Sequence, residues 1–313
     1  MKSTLAALAA LATATLPAAA LPMRDLMDAP AAEVVTFKTT GTTALAMHLF
    51  RPAQTAPAKA RPAWVWIHGG AWVGGGPTTF EPHARYAAAR GAVGVSLTYR
   101  LAKPGQTTVA DCLADCKSAI RYLRAHAAEL GIDPARIAVA GDSAGGHLAG
   151  ALGTIDGFDD PSDDRSVSAR PDAMILYNPI VDMTEGDWIR FAVGGTALAD
   201  KKSPRPDSPE AVATARALSP LFFVRPGQPP ALVVHGLADG VVPAKQAERF
   251  AEAARAAGNR CELDLLEGVG HAFVVARYRH PESLVVDAIR RCDRFLVSLG
   301  WLEGEPTLEV STP

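Results

Sequence analysis

The 313-residue chain has only four cysteines, no run of lysine and arginine, no internal repeat and a net charge of −2. Past the N-terminus, no apolar stretch reaches the length that a membrane-crossing helix requires. Each absence removes a class. Without a basic patch, neither nucleic acid nor an anionic bilayer is an expected partner. Without a repeat, solenoids and propellers are set aside. What is present is ordinary for a globular protein: 48% hydrophobic and 20% charged residues, enough for an ample core in one large α/β domain or two small ones.

The first twenty residues differ from the rest. Lys2 precedes an almost unbroken Leu/Ala run from Leu5 to Leu16, followed by Pro17-Ala18-Ala19-Ala20. A positive start, a short apolar run and an A-x-A ending are the pattern of a secretory signal peptide, with cleavage expected after Ala20. The expectation is an exported, secreted or periplasmic protein with no membrane association once the leader is removed.

From Val34 onward the pattern becomes periodic. Val34–Thr40 and Leu45–Phe50 predict an antiparallel hairpin. Strand-like and helix-like stretches then alternate: strands at Ala63–Ile67, Ala92–Tyr99, Ile137–Ala140, Ala173–Asn178, Ala231–Gly236 and Cys261–Leu266, with helices between them and a last helix over Glu282–Leu299. Such alternation demands a mostly parallel sheet with helices on both faces, and binding sites at the carboxyl ends of its strands. Residues 21–302 are read as this domain, with residues 180–220 a small cap-like excursion and 303–313 a disordered tail. The Asp156–Pro171 segment, with aspartates at 156, 159, 160, 163 and 164, has oxygen enough to suggest Ca²⁺, but its spacing does not match an EF-hand, so it reads as a solvated surface loop.

The chemistry is organised around Gly141-Asp142-Ser143-Ala144-Gly145. A G-x-S-x-G between a strand and a helix suits a sharp reversal, where flanking Cβ atoms would collide and the serine hydroxyl is left exposed beside free helix N–H groups. A serine needs a base, and the base needs a carboxylate. Glycines give the loop of His271 freedom to turn the ring inward, and Asp239 follows the preceding strand; the order Ser143, Asp239, His271 is the one expected of an α/β-hydrolase. Other histidines fit less well. His235 is expected to bond the Asp239 loop, His147 to point away from Ser143, and His48, His83, His126 and His280 to take surface or core roles. Asp264 lies within a strand, Glu267 is too near His271 in sequence, and Asp142 is assigned a structural role. For the oxyanion, Ala144 N–H joins the turn His68-Gly69-Gly70-Ala71, with Gly70 and Ala71 as the expected donors and Gly69 the fallback. His68 holds that loop. Trp72 is expected to line the substrate pocket, with packing beneath the loop as the alternative.

Together the pieces H-G-G-A-W, Y-R-L, G-I-D-P-x-R-I, G-D-S-A-G-G-H-L-A, H-G-x-x-D-x-x-V-P and G-x-G-H-A-F resemble the α/β-hydrolase superfamily over roughly residues 35–300. They are most similar to its hormone-sensitive-lipase and acetyl-esterase branch, and also to small bacterial carbohydrate esterases. The resemblance implies a carboxylic ester hydrolase using Ser143, His271 and Asp239, with the His68–Trp72 turn as oxyanion loop. Two departures stand out: H-G-G-A replaces the usual H-G-G-G, and little sequence precedes the first strands to build an N-terminal cap. No metal or organic cofactor is implied. The expected substrate is a small soluble ester of acetyl type, with an acylated oligosaccharide as the natural candidate; an amidase, exopeptidase or arylformamidase and a non-catalytic binding protein are the alternatives. Export permits disulfides. Cys112 and Cys116, four apart on one helix, meet the geometry poorly, so a Cys261–Cys292 bridge is expected, with the other two free or locally paired.

Overall fold

The computed structural model describes residues 20–27, 32–53, 60–194 and 206–312, so all but the last residue of the expected leader and residues 195–205 of the excursion lie outside the described residues. The chain enters through β1 (Leu21–Pro22) and α1 (Met23–Met27), then forms the expected hairpin, β2 (Glu33–Thr40) and β3 (Thr43–Phe50). Alternation follows: β4 (Arg61–Ile67), α2 (Glu81–Ala89), β5 (Val93–Leu97), α3 (Val109–Ala125), α4 (Ala127–Leu130), β6 (Ile132–Asp142) and α5 (Ala144–Thr154). After β7 (Ala173–Tyr177) come α6 (Trp188–Ala192) and α7 (Pro209–Ala217), which form the excursion. The chain closes with β8 (Ala231–Gly236), α8 (Ala244–Ala256), β9 (Cys261–Leu266), α9 (Glu282–Ser298) and β10 (Leu308–Glu309).

Among the described residues, eight strands form one sheet in the order β2-β3-β5-β4-β6-β7-β8-β9, parallel from β5 to β9 with the hairpin antiparallel at one edge. This is the α/β-hydrolase arrangement. Period-two alternation divides the apolar residues between two cores. On β4, Ala63, Val65 and Ile67 face the side covered by α3, α5 and α8, whereas Trp64 and Trp66 face α2 and α9. Helix α3 begins where Thr108 accepts the Asp111 N–H and the Asp111 carboxylate accepts the Thr108 N–H, a reciprocal capping box.

Register decides where the site is built. Ile67 pairs with Gly141, Asp142 with Tyr177, and Gly236 with Leu266. The turns after β4, β6, β8 and β9 therefore leave the sheet along one edge.

Two expectations are corrected. The tail is ordered: β10 pairs in parallel with β1, Leu308 is fully buried, and the Tyr86 hydroxyl, which donates to Asp293, accepts the Thr307 N–H. Arg90 closes this buried cluster by an ion pair with Asp293. The Cys261–Cys292 bridge does not form, and all four cysteines are free thiols. Cys261 packs into the core on the α3, α5 and α8 side and Cys292 into the opposite one, so the sheet stands between the two sulfurs. The acidic segment is an exposed surface loop, as expected, and is tethered by ion pairs: Arg121 pairs with Asp159 and Asp163, Lys38 with Asp160, and Arg225 with Asp156.

Candidate active site

Ser143 sits between β6 and α5 at φ 54°, ψ −119°. A non-glycine residue with positive φ costs on the order of 1–3 kcal/mol and persists only where its surroundings impose it. Here they do. A Cβ on Gly141 would lie 2.3 Å from the Gly145 carbonyl oxygen, and one on Gly145 would lie 2.1 Å from that of Ile67. Both glycines are thus required by close backbone approach, and the reversal they permit lifts the Ser143 side chain into a cavity at the first turn of α5.

His271 Nε2 lies 2.9 Å from Ser143 Oγ, and His271 Nδ1 lies 2.7 Å from Asp239 Oδ2. The second Asp239 oxygen accepts the Val241 and Val242 N–H groups at 2.8 and 2.9 Å. Burial opposes the Asp239 charge, but hydrogen bonds from His235, His271 and the Val242 amide win and hold this carboxyl well below the usual range. Asp239 is therefore anionic, and His271 donates its Nδ1 proton to it. That leaves Nε2 free to accept from the serine hydroxyl. His235 Nε2 donates to the Val242 carbonyl, bracing the loop that carries Asp239. His280 Nε2 donates to the His271 carbonyl from the other side.

The turn after β4 is also strained, with Gly70, Ala71 and Trp72 at φ 106°, 52° and 61°. Gly69 N–H donates to Asp142 Oδ1 at 3.0 Å, so the fallback donor is already occupied and Asp142 anchors this turn to the serine elbow. The Gly70 and Ala71 amides donate to no protein group among the described residues, and both residues line the cavity. Burial raises the Asp142 carboxyl to about 6, against the opposing pull of His271 and the Gly69 N–H. His68 stacks on Tyr99 with ring centres 4.3 Å apart and bonds the Gly69 carbonyl, while the Tyr99 hydroxyl donates to the His68 carbonyl.

Trp72 does not line the pocket. Its ring is fully buried beneath the turn, and its Nε1 donates to His147 Nδ1 at 3.1 Å. His147 Nε2 in turn donates to the Leu218 carbonyl, which ties the end of the excursion to α5 and points the ring away from Ser143. The positive φ at Trp72 turns its side chain inward, and Trp188 of α6 takes the wall position instead. The cavity, of about 440 Å³, has Ser143, His271 and the Gly69–Ala71 turn at its floor. Trp188, Val241, Ala272 and Val275 form apolar walls, and Tyr278 and Arg279 form the rim. Sequence reading missed these wall and rim residues. Trp188 and Phe191 are the aromatic pair that opens α6, and Tyr278 and Arg279 follow His271 closely; those were the available signals.

Comparison with known proteins bears on the family and the fold. The BD-FAE family model matches residues 47–254, which include Ser143 and Asp239, and the dienelactone hydrolase family model matches residues 212–303, which include Asp239 and His271. Esterase LipC of Mycobacterium tuberculosis is 33% identical over 235 residues, covering 69% of this chain and 54% of that protein. Carboxylesterase NlhH of the same species is 45% identical over 95 residues, 30% of this chain and 29% of that protein. The chain thus spans about half the length or less of these curated relatives. Among solved structures, Thermogutta terrifontis esterase 2 is 37% identical with a TM-score of 0.77, covering 88% of this chain and 97% of that one. With a match over residues 47–254 and this fold, the chain belongs to the BD-FAE family of α/β-hydrolase esterases.

Proposed function

We propose that the chain is a serine carboxylic ester hydrolase acting on short-acyl esters through a covalent acyl-enzyme. One observation carries the reading: the continuous line Ser143–His271–Asp239 opens into a cavity beside two amides that no described residue engages. Ser143 Oγ attacks the ester carbonyl carbon while His271 Nε2 takes its proton, and Asp239 stabilises the imidazolium that results. The carbonyl oxygen becomes an oxyanion held by the Gly70, Ala71 and Ala144 N–H groups at the positive end of α5. Collapse breaks the bond to the alcohol, which leaves with the proton from His271. Water then attacks the acyl-enzyme by the same route in reverse and releases the acid.

Short-acyl preference is supported by the modest cavity, closed on one side by Trp188, and by solved forms of the Thermogutta terrifontis esterase described as propionate-bound and butyrate-bound. An acylated carbohydrate is the proposed natural substrate class, and the leader-like N-terminus supports export. The same esterase is described as phosphorylated by paraoxon. Paraoxon treatment of this chain should accordingly place a diethylphosphoryl group on the peptide containing Ser143. Rates on p-nitrophenyl esters should peak between acetyl and butyryl, and matched anilides should react far more slowly. Ser143→Ala should fold normally and lose a factor on the order of 10⁶ in kcat. A folded Ser143→Ala protein with near-normal turnover would refute the mechanism, and a peak at lauroyl esters would refute the acyl preference.

A further inference from the structure

We propose that Arg279 selects esters carrying a carboxylate beside the scissile bond, an inference that rests on the ester-hydrolase reading of Ser143. The cavity has two electrostatic halves. At its floor every formal charge is engaged: Asp142 holds the Gly69 N–H, and Asp239 is taken up by His271 and the Val241 and Val242 amides. Its walls are apolar. At the rim stands the Arg279 guanidinium, 5.1 Å from the centre of the Tyr278 ring, with no carboxylate within ion-pair distance among the described residues.

Arg279 shares that lack with exposed Arg165, Arg216 and Arg294, and what sets it apart is its place on the lining of the Ser143 cavity. Arg121, Arg249 and Arg291 each pair with two carboxylates, and Arg124 with Asp172. Arg277, two residues before Arg279, likewise has no ionic partner among the described residues. On the far side of Trp188 and Val241, where a second hollow begins, the acidic side chains Glu185 and Asp187 are paired with Arg249 and Arg190. Among the described residues the unbalanced charge at the mouth is therefore positive, and it lies on the Tyr278 side.

The rim is also held in place. His280 Nε2 donates to the His271 carbonyl and His83 Nε2 to the Val274 carbonyl, so the loop between them is fixed at both ends. An arginine fork placed over an aromatic ring suits a planar carboxylate, because its donors are pre-oriented and one face of the cation is already covered. A substrate anion reaching it would bridge from the reacting carbonyl at Ser143 to the rim.

The test compares kcat/KM for matched anionic and neutral esters on the full chain. Monoethyl succinate against ethyl 4-methylpentanoate puts the carboxylate on the acyl side; O-acetylglycolate against isobutyl acetate puts it on the alcohol side. In at least one pair the anionic-to-neutral ratio should fall about fivefold in Arg279→Ala and tenfold or more in Arg279→Glu, mainly through KM. Arg279→Lys, which keeps the charge but not the fork, should give a ratio between those of wild type and Arg279→Ala, and raising the salt should lower the wild-type ratio. An equal change on both members of each pair, or an unchanged ratio in Arg279→Glu, overturns the assignment. Paraoxon labelling keeps the two readings apart. A labelled Ser143 with an unchanged ratio overturns only the role of Arg279, whereas a wild-type chain that is neither labelled nor active overturns both.

Discussion

Acidification from pH 7 to 5 should destabilise the fold by about 4–5 kcal/mol, and three buried histidines set the sign. His68, His83 and His147 are each lowered by burial from 6.5 to about 4, against a partly compensating hydrogen bond to a backbone carbonyl. Well above pH 6.5 these rings are neutral whether folded or unfolded. Between 6.5 and 4 the unfolded chain takes up their protons and the folded chain does not, so stability falls. At pH 5 that is about 2 kcal/mol for each ring, at 1.36 kcal/mol per unit. Asp142 acts in the opposite direction. Burial raises it from 3.8 to about 6, so its protonated form belongs to the folded state and its contribution is lost as pH rises through 6. At pH 5 it returns about 1 kcal/mol. The net loss should lower Tm by about 10 °C, on a scale of roughly 2 °C per kcal/mol for a chain of this size. Thermal melts followed by circular dichroism at pH 7, 6 and 5 measure it directly. His83→Gln, which removes one ring from a site away from Ser143, should reduce the pH-dependent loss by about 2 kcal/mol. A Tm that is flat or rises on acidification, or a slope unchanged in His83→Gln, would refute the reasoning.

Other outcomes follow from single contacts. Gly145→Ala should destabilise the elbow by several kcal/mol or leave a folded but inactive protein, since its Cβ meets backbone and not a yielding side chain; melts and p-nitrophenyl acetate turnover in parallel would decide, and a stable, fully active variant would contradict the packing. Burial raises all four thiols, Cys261 to about 11, so Ellman's reagent should find none reactive in the native protein and all four in guanidinium; a thiol count of two in denaturant would reveal a disulfide. Trp188→Ala should open the cavity wall and shift the preferred acyl chain toward longer esters, read from the p-nitrophenyl series, whereas Trp72→Phe should alter stability more than chain-length preference.

Local chemistry and period determined much of this protein at the level of sequence. Trp64 and Trp66 alternate with Val65 and Ile67, so β4 had to be covered on both faces. Gly141 and Gly145 around Ser143 required a reversal between strand and helix, and Asp239 and His271 each followed a strand ending at the same edge. Those features depend on neighbours in the chain, and neighbours are what a sequence displays. Long-range packing decided the rest. Cys261 and Cys292 lie on elements that touch the same sheet, and only the side each thiol faces separates them. The tail from Glu303 is polar, yet Tyr86 and Asp293, more than two hundred residues apart, meet to hold it. Gly69 had the composition of an oxyanion donor until Asp142, across the β4–β6 register, claimed its amide. Trp72 stood beside the site in sequence but was rotated under it by the φ of its own turn, and Trp188 came from the excursion to form the wall in its place.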